Sequence, residues 1–250
     1  MRKKGKKNEG KKEKKEKKKN VVLFIDFDGT LVDSIKAHHK SFNLTFREAN
    51  IKEIDFKTFS NLFGFFSEEI IRRHLEKLKI KKSQKEIEKL ATRKKEIFLK
   101  KGFYYVKPYP KVNATLKKLS KYYLILETNA SLQEVEKIAN FANLKLDYFD
   151  LILSKEKIKH RKPNPELIKK ALKIINLKSK KPTIVVVGDT FVDVLLANNA
   201  KAVGILITKN PKLEIKKCEM LNKKCKPDFV IKHFYELPRL IEEFFKKFKI

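Results

Sequence analysis

The chain has 250 residues, 42% of them apolar, which is enough for one sizeable core with a smaller companion unit. Its formal charge is +31, which raises nucleic acid as a partner. The excess is nearly all Lys and there is no Trp, a pattern that argues against a specific reader of bases.

Residues 1–20 are a low-complexity, Lys-rich tail with nothing to bury, and are expected to be disordered. Weak, nonspecific polyanion binding is the one partner role this tail suggests. Structure begins abruptly at Val21: the run VVLFI (21–25) is apolar without alternation, as in a strand buried on both faces. It stops at DFDGT, where Gly29 permits a turn. Residues 34–106 then read as four amphipathic helices, at about 34–50, 55–63, 67–79 and 83–101. Ser83 with Glu86 three residues on has the form of a capping box. From Pro108 helices and strands alternate. Helices are expected near 111–120, 131–142, 164–176, 191–200 and 234–248. Strands are expected at 122–127, 150–153, 183–187, 203–207 and 228–231. The expected fold is therefore α/β: a Rossmann-like, mostly parallel sheet with helices on both faces. An α-helical cap at 34–106 is inserted into a catalytic core made of 21–33 and 107–250.

Parallel sheets bind ligands at the carboxyl ends of their strands, so the residues just past each strand are informative. After the first come Asp26, Asp28, Gly29 and Thr30, and after the second Thr128 and Asn129. Arg161 and Lys162 precede a helix, and Gly188, Asp189, Thr190 and Asp193 come after TIVVV. Carboxylates gathered on one edge repel unless a cation lies among them, and all-oxygen ligation suits magnesium. A metal, a lysine and free backbone N–H groups together make a site for a phosphate dianion. Asp26 is then placed to attack phosphorus, and Asp28, two residues on, to protonate a leaving oxygen.

The motifs resemble those of the haloacid dehalogenase-like hydrolase superfamily. DFDGTLVDS (26–34) is similar to its first motif, TN (128–129) to the second, RKPNP (161–165) to the third and GDTFVD (188–193) to the fourth. The resemblance covers roughly residues 21–240 and implies a Mg2+-dependent phosphatase acting on a small phosphorylated metabolite. It makes Asp26 the nucleophile that forms an aspartyl-phosphate and Asp28 the acid/base. Thr128, Asn129 and Lys162 become phosphate ligands, with Lys162 also neutralising the nucleophile. Metal ligation falls to Asp26, the Asp28 carbonyl and Asp189, with Asp193 in an outer shell or orienting Lys162. The position of the inserted helices resembles the subclass that holds phosphoglycolate phosphatases and β-phosphoglucomutases. A phosphomutase, a pyrophosphatase or a phosphonate hydrolase on the same scaffold is the alternative, and a polyanion-binding protein the noncatalytic one. Dehalogenation would leave Asp28 without a leaving oxygen to protonate.

Some residues carry plainer readings. Asp193 also suits a helix cap, as do Thr190 and Asp33. His38 and His39, in the first cap helix, read as surface or packing residues, with a substrate-facing role as the alternative, and His160 as a loop residue. Phe63, Phe65 and Phe66 either form cap core or close over a substrate. Glu127 departs from the family's apolar or small strand-end residue and is expected to pair with Lys162 or Arg161, or to sit at the edge. Lys201 replaces a helix-ending Gly. Segment 209–227 is longer and more basic than a tight connection. Cys218 and Cys225 read as reduced thiols, with no disulfide framework or zinc spacing. With no apolar run of membrane-spanning length, the expected location is the cytoplasm.

Overall fold

The computed structural model describes residues 20–177, 181–221 and 223–248. Nearly all of the expected Lys-rich tail lies outside them. Strand β1 (Val21–Ile25) is the centre of the architecture, and all five of its side chains are buried. Successive side chains of a strand point to opposite faces, so Val21, Leu23 and Ile25 enter one apolar layer and Val22 and Phe24 the other. An alternating sequence would have left one layer polar, which is why this run carries no alternation.

Beyond β1 the chain makes a two-residue strand β2 (Val32–Asp33) and enters four helices: α1 (Ile35–Glu48), α2 (Phe56–Leu62), α3 (Ser67–Lys77) and α4 (Gln84–Lys100). The Ser83 and Glu86 box forms at the start of α4, where the Ser83 hydroxyl accepts from the Glu86 N–H and the Glu86 carboxylate accepts from the Ser83 N–H. These helices share an apolar cluster of their own, with Phe42, Phe46, Phe59 and Ile71 at its centre. The chain returns through β3 (Lys107–Pro108), which pairs antiparallel with β2, so its two crossings between cap and core are zipped together. The division is not absolute: Ala37, Phe98 and Phe103 pack into the core's layer rather than the cap's.

The core continues as α5 (Val112–Leu119), β4 (Tyr123–Glu127), α6 (Leu132–Phe141), β5 (Leu151–Leu153), α7 (Glu166–Ile175), β6 (Thr183–Gly188), α8 (Phe191–Ala200), β7 (Val203–Ile207), α9 (Pro211–Glu219), β8 (Phe229–Ile231) and α10 (Leu237–Phe248). The six long strands form one parallel sheet in the order β5-β4-β1-β6-β7-β8. Helices α5, α6 and α10 cover one face, through Leu116, Val135 and Leu237, and α7 and α8 the other, through Leu167, Ala171 and Leu196. After β1 the chain builds outward to β4 and β5, then crosses to β6 on the other side of β1. The carboxyl ends of β1, β4 and β6 therefore flank the topological switch point, where such sheets open a crevice.

Helix α9 is absent from the sequence reading, which left 209–227 without an element. Another correction concerns the cysteines, which are not reduced thiols: Cys218 and Cys225 are joined by a disulfide. The chain turns back after α9 and brings the two Cα atoms to 6.1 Å, beside Phe191, Val192 and Leu195. Among the described residues no helix is long and apolar enough to cross a membrane.

Candidate active site

At the carboxyl end of β1, Asp26 follows Ile25 directly and is 6% exposed. Glu127 ends β4 fully buried, and Lys162 reaches in between them from the loop before α7. The Lys162 ammonium donates to Asp26 Oδ1 at 2.7 Å and to Asp193 Oδ1 at 2.7 Å, and pairs with Glu127 Oε2 at 3.1 Å. Of the alternatives open for Glu127, pairing with Lys162 is the one realised. Burial works against the ammonium, but the carboxylates of Asp193, Asp26 and Glu127 outweigh it and hold Lys162 well above the ordinary lysine range. Glu127 is raised well above its ordinary value by burial and by the neighbouring carboxylates. For Asp26, burial overcomes the pull of Lys162 and lifts the carboxyl to about 7.

Asp193 satisfies two of its readings at once. Its Oδ2 accepts from the Thr190 N–H at 3.1 Å and the Thr190 hydroxyl at 2.8 Å, capping α8, while Oδ1 holds Lys162. Asp189 sits just before this cap. A Cβ on Gly29 would run into the Asp189 carboxylate, and one on Gly188 into Asp193, so both glycines are required by close packing. Gly29 also has a φ of +84°, which side chains rarely adopt.

Oxygens of Asp26, Asp189 and Asp193 lie within 4.8 Å of one another. Lys162 serves the first and third of these, and among the described residues Asp189 makes no ion pair. Burial and the facing carboxylates push Asp189 well above its ordinary value. An excess of buried negative charge on an all-oxygen donor set fits a hard divalent cation. The Asp28 carboxylate lies outside this trio; the sequence reading assigned its carbonyl to the metal, not its side chain.

Thr128 and Asn129 line the same cavity, of about 530 Å³, as Asp26, Asp28, Lys162 and Asp189. Asn129 Oδ1 accepts from the Lys162 N–H at 3.2 Å, and Thr128 Oγ1 from the Ala130 N–H at 3.0 Å. The side chain of Asn129 thus fixes the loop that carries Lys162. The four motifs meet in one place.

The cap supplies Lys94, which sequence reasoning missed, and brings His38 to the cavity wall. His38 is not a surface or packing residue alone. Its Nε2 stands 3.5 Å from Asp28 Oδ1, and its Nδ1 meets the buried Lys94 ammonium at 2.7 Å. Lys94 donates at Nδ1, so the proton of a neutral His38 sits on Nε2 and faces Asp28. Burial raises Asp28, but His38 beside it turns the balance and leaves it below its ordinary value. Burial and the Lys94 charge lower His38, and burial brings Lys94 down to about 8. His39, by contrast, does pack: it lies against Phe56 and Phe59 and bonds the Ile54 carbonyl. His160 is exposed and bonds Glu166 at 2.6 Å. Phe63, Phe65 and Phe66 line the cavity, and Phe63 and Phe65 also flank the cap's apolar cluster.

Helix α9 ties the core to the cap beside the site. Glu214 Oε2 accepts from the Phe191 N–H at 3.0 Å, and Lys217 donates to the Phe63 carbonyl of the cap at 2.8 Å. Arg161 lies over the Phe66 ring at 5.3 Å, a second contact between core and cap.

A family model described as haloacid dehalogenase-like hydrolase matches residues 22–207. A phosphoglycolate phosphatase of Aquifex aeolicus is 31% identical over 175 residues, covering 69% of this chain and 78% of the relative. Among solved structures, a haloacid dehalogenase-like hydrolase from Streptococcus pneumoniae aligns with a TM-score of 0.71 at 22% identity, over 90% of this chain and 99% of that one. A β-phosphoglucomutase from Clostridium difficile aligns with a TM-score of 0.70 at 19% identity, over 92% and 98%.

Proposed function

The chain belongs to the haloacid dehalogenase-like hydrolase family, and from that premise we propose that it is a magnesium-dependent phosphatase that hydrolyses a small phosphate monoester through an aspartyl-phosphate on Asp26. The observation that carries the reading is the pairing of a buried aspartate and a half-buried one with opposite environments. Asp26 is held by an ammonium at the sheet's switch point, and Asp28, two residues on, faces the histidine His38.

The carboxylates of Asp26 and Asp189, with Asp193 behind them, would hold Mg2+, which supplies positive charge to the phosphoryl oxygens and to the Asp26 carboxylate. Thr128 and Asn129 bind and orient the phosphoryl group, and Lys162 neutralises it beside Asp26. Asp26 attacks phosphorus and the ester oxygen departs with a proton from Asp28. Asp28 then takes a proton from water, whose oxygen attacks phosphorus and releases inorganic phosphate from Asp26. An arriving phosphate dianion raises Asp28 from its low resting value toward the protonated acid that the first step requires. His38, fixed by Lys94, keeps that carboxyl aimed. The named relative puts phosphoglycolate first among candidate substrates.

The experiment is phosphate release from a panel of phosphorylated metabolites, with magnesium and with EDTA. Asp26→Asn is expected to abolish turnover on every ester. Asp28→Asn is expected to slow it by about 10²–10⁴-fold on alkyl esters, and by less on p-nitrophenyl phosphate, whose leaving group scarcely needs a proton. Substantial activity in purified Asp26→Asn, or full activity without metal, would overturn the mechanism.

A further inference from the structure

The cavity that holds the catalytic carboxylates also carries a group of lysines drawn from both halves of the molecule. Lys94 and Lys95 come from α4 in the cap, and Lys155 from the turn after β5 in the core; all three line the cavity that holds Asp26. Lys155 is tied to the site's own loop, its N–H donating to the Ala130 carbonyl at 3.1 Å, next to Thr128 and Asn129. Two glutamates, Glu68 and Glu134, line the same cavity as these lysines, and Glu134 is the nearer to Lys155 in effect. Glu134 is committed to the start of α6, accepting from the Ser131 N–H at 2.8 Å and the Ser131 hydroxyl at 2.5 Å. Lys94 is held by His38, and among the described residues neither Lys95 nor Lys155 makes an ion pair.

Cap and core therefore meet across the cleft with like charges facing each other. Burial lowers the pKa of Lys155; the Glu134 carboxylate opposes that shift and the nearby Lys95 ammonium adds to it, leaving Lys155 below the ordinary lysine value. Two such charges 4 Å apart repel by about 1 kcal/mol in water and about 4 kcal/mol near a protein surface. An anion lodged between them reverses the sign of that interaction and ties the cap to the core. The cavity, at about 530 Å³, falls in the range that encloses a whole metabolite rather than a lone phosphate.

We propose that Lys95 and Lys155, backed by Lys94, form a receptor for a second anionic group of the substrate, at the end away from the reacting phosphate. This deepens the phosphatase reading and rests on it. The substrate is then a phosphate ester that ends, away from the reacting phosphate, in a carboxylate or a second phosphate. Bridging α4 and the β5 turn, that group favours cap closure as well as affinity, so the site selects for it.

The test is calorimetric titration of full-length Asp26→Asn protein, which cannot turn over, in the presence of magnesium. Two pairs of probes differ only at the far end: 6-phosphogluconate against sorbitol 6-phosphate, and fructose 1,6-bisphosphate against fructose 6-phosphate. The doubly anionic member of at least one pair is expected to bind about ten- to hundredfold more tightly, the worth of one or two charge-assisted hydrogen bonds. The pair that shows the preference identifies the second anion. Adding Lys95→Gln and Lys155→Gln is expected to reduce that preference to under about threefold. Both lysines are part-exposed, and the single Lys155→Gln change serves if the double variant folds poorly. Equal affinities within both pairs, or a preference that survives the substitutions, would overturn the receptor. Phosphate release from p-nitrophenyl phosphate by the unsubstituted protein tests the phosphatase reading separately, and its failure leaves the affinity ratios readable.

Discussion

Replacing Lys162 by Met removes the one ammonium that three buried carboxylates share, while keeping the length of the side chain. Asp26, Glu127 and Asp193 are 6%, 0% and 2% exposed, so water cannot take over the lost charge. The folded variant answers by binding one additional proton. Neutralising a carboxyl whose ordinary value is 4.5 costs about 3.4 kcal/mol at pH 7 and about 1.4 kcal/mol at pH 5.5. The first figure falls within the 3–5 kcal/mol expected when one partner of a buried ion pair is deleted. The sign follows from the raised carboxyl: the folded variant holds more protons than its unfolded chain, so lowering the pH stabilises it relative to the parent. Urea unfolding in EDTA at pH 7 and 5.5 measures both deficits. Glu127→Gln added to Lys162→Met is expected to recover most of the loss at pH 7, and alone to change stability by under about 1 kcal/mol. A deficit that does not vary with pH, or one that Glu127→Gln fails to relieve, would refute the account.

Two smaller tests concern the backbone and the cross-link. Lys201 ends α8 with φ 53°, a left-handed position that suits Gly, so Lys201→Gly is expected to stabilise the fold by about 1 kcal/mol in thermal unfolding. The disulfide closes a loop with a sequence separation of 7, worth about 2.5 kcal/mol by chain entropy. Dithiothreitol is expected to lower urea stability by that amount. Two reactive thiols in protein purified without reductant would contradict the pairing.

The sheet and most helices were legible because their signals are local. Continuous apolar runs at 21–25 and 203–207 can only be central strands, and Ser83 with Glu86 writes its helix start into four residues. Helix α9 carries no such mark. Its buried residues are Glu214, Lys217 and Cys218, so its inward face is a paired acid and base rather than an apolar stripe. The β2 and β3 pair is too short to have a period. A gap of six residues between cysteines says nothing about a turn that doubles back. The four motifs were readable because each comes after a strand or opens a helix on the same sheet edge. Glu127 was visible as a departure, but only packing at the end of β4 chooses between Lys162 and Arg161.

His38 marks the limit of local reading. Its partners, Asp28 and Lys94, stand 10 residues before it and 56 residues after it, on β1's exit loop and on α4. A histidine on an amphipathic helix gives no hint of either. The contact exists only when α1 and α4 lie together over the end of β1, so the orientation of the Asp28 carboxyl depends on how the cap is seated. That seating is fixed from the other side by Lys217 on the Phe63 carbonyl and by Arg161 on Phe66. In the proposed mechanism, cap position and acid geometry are thus one variable. A substrate group that draws Lys95 and Lys155 together would act on Asp28 through it, without touching either aspartate.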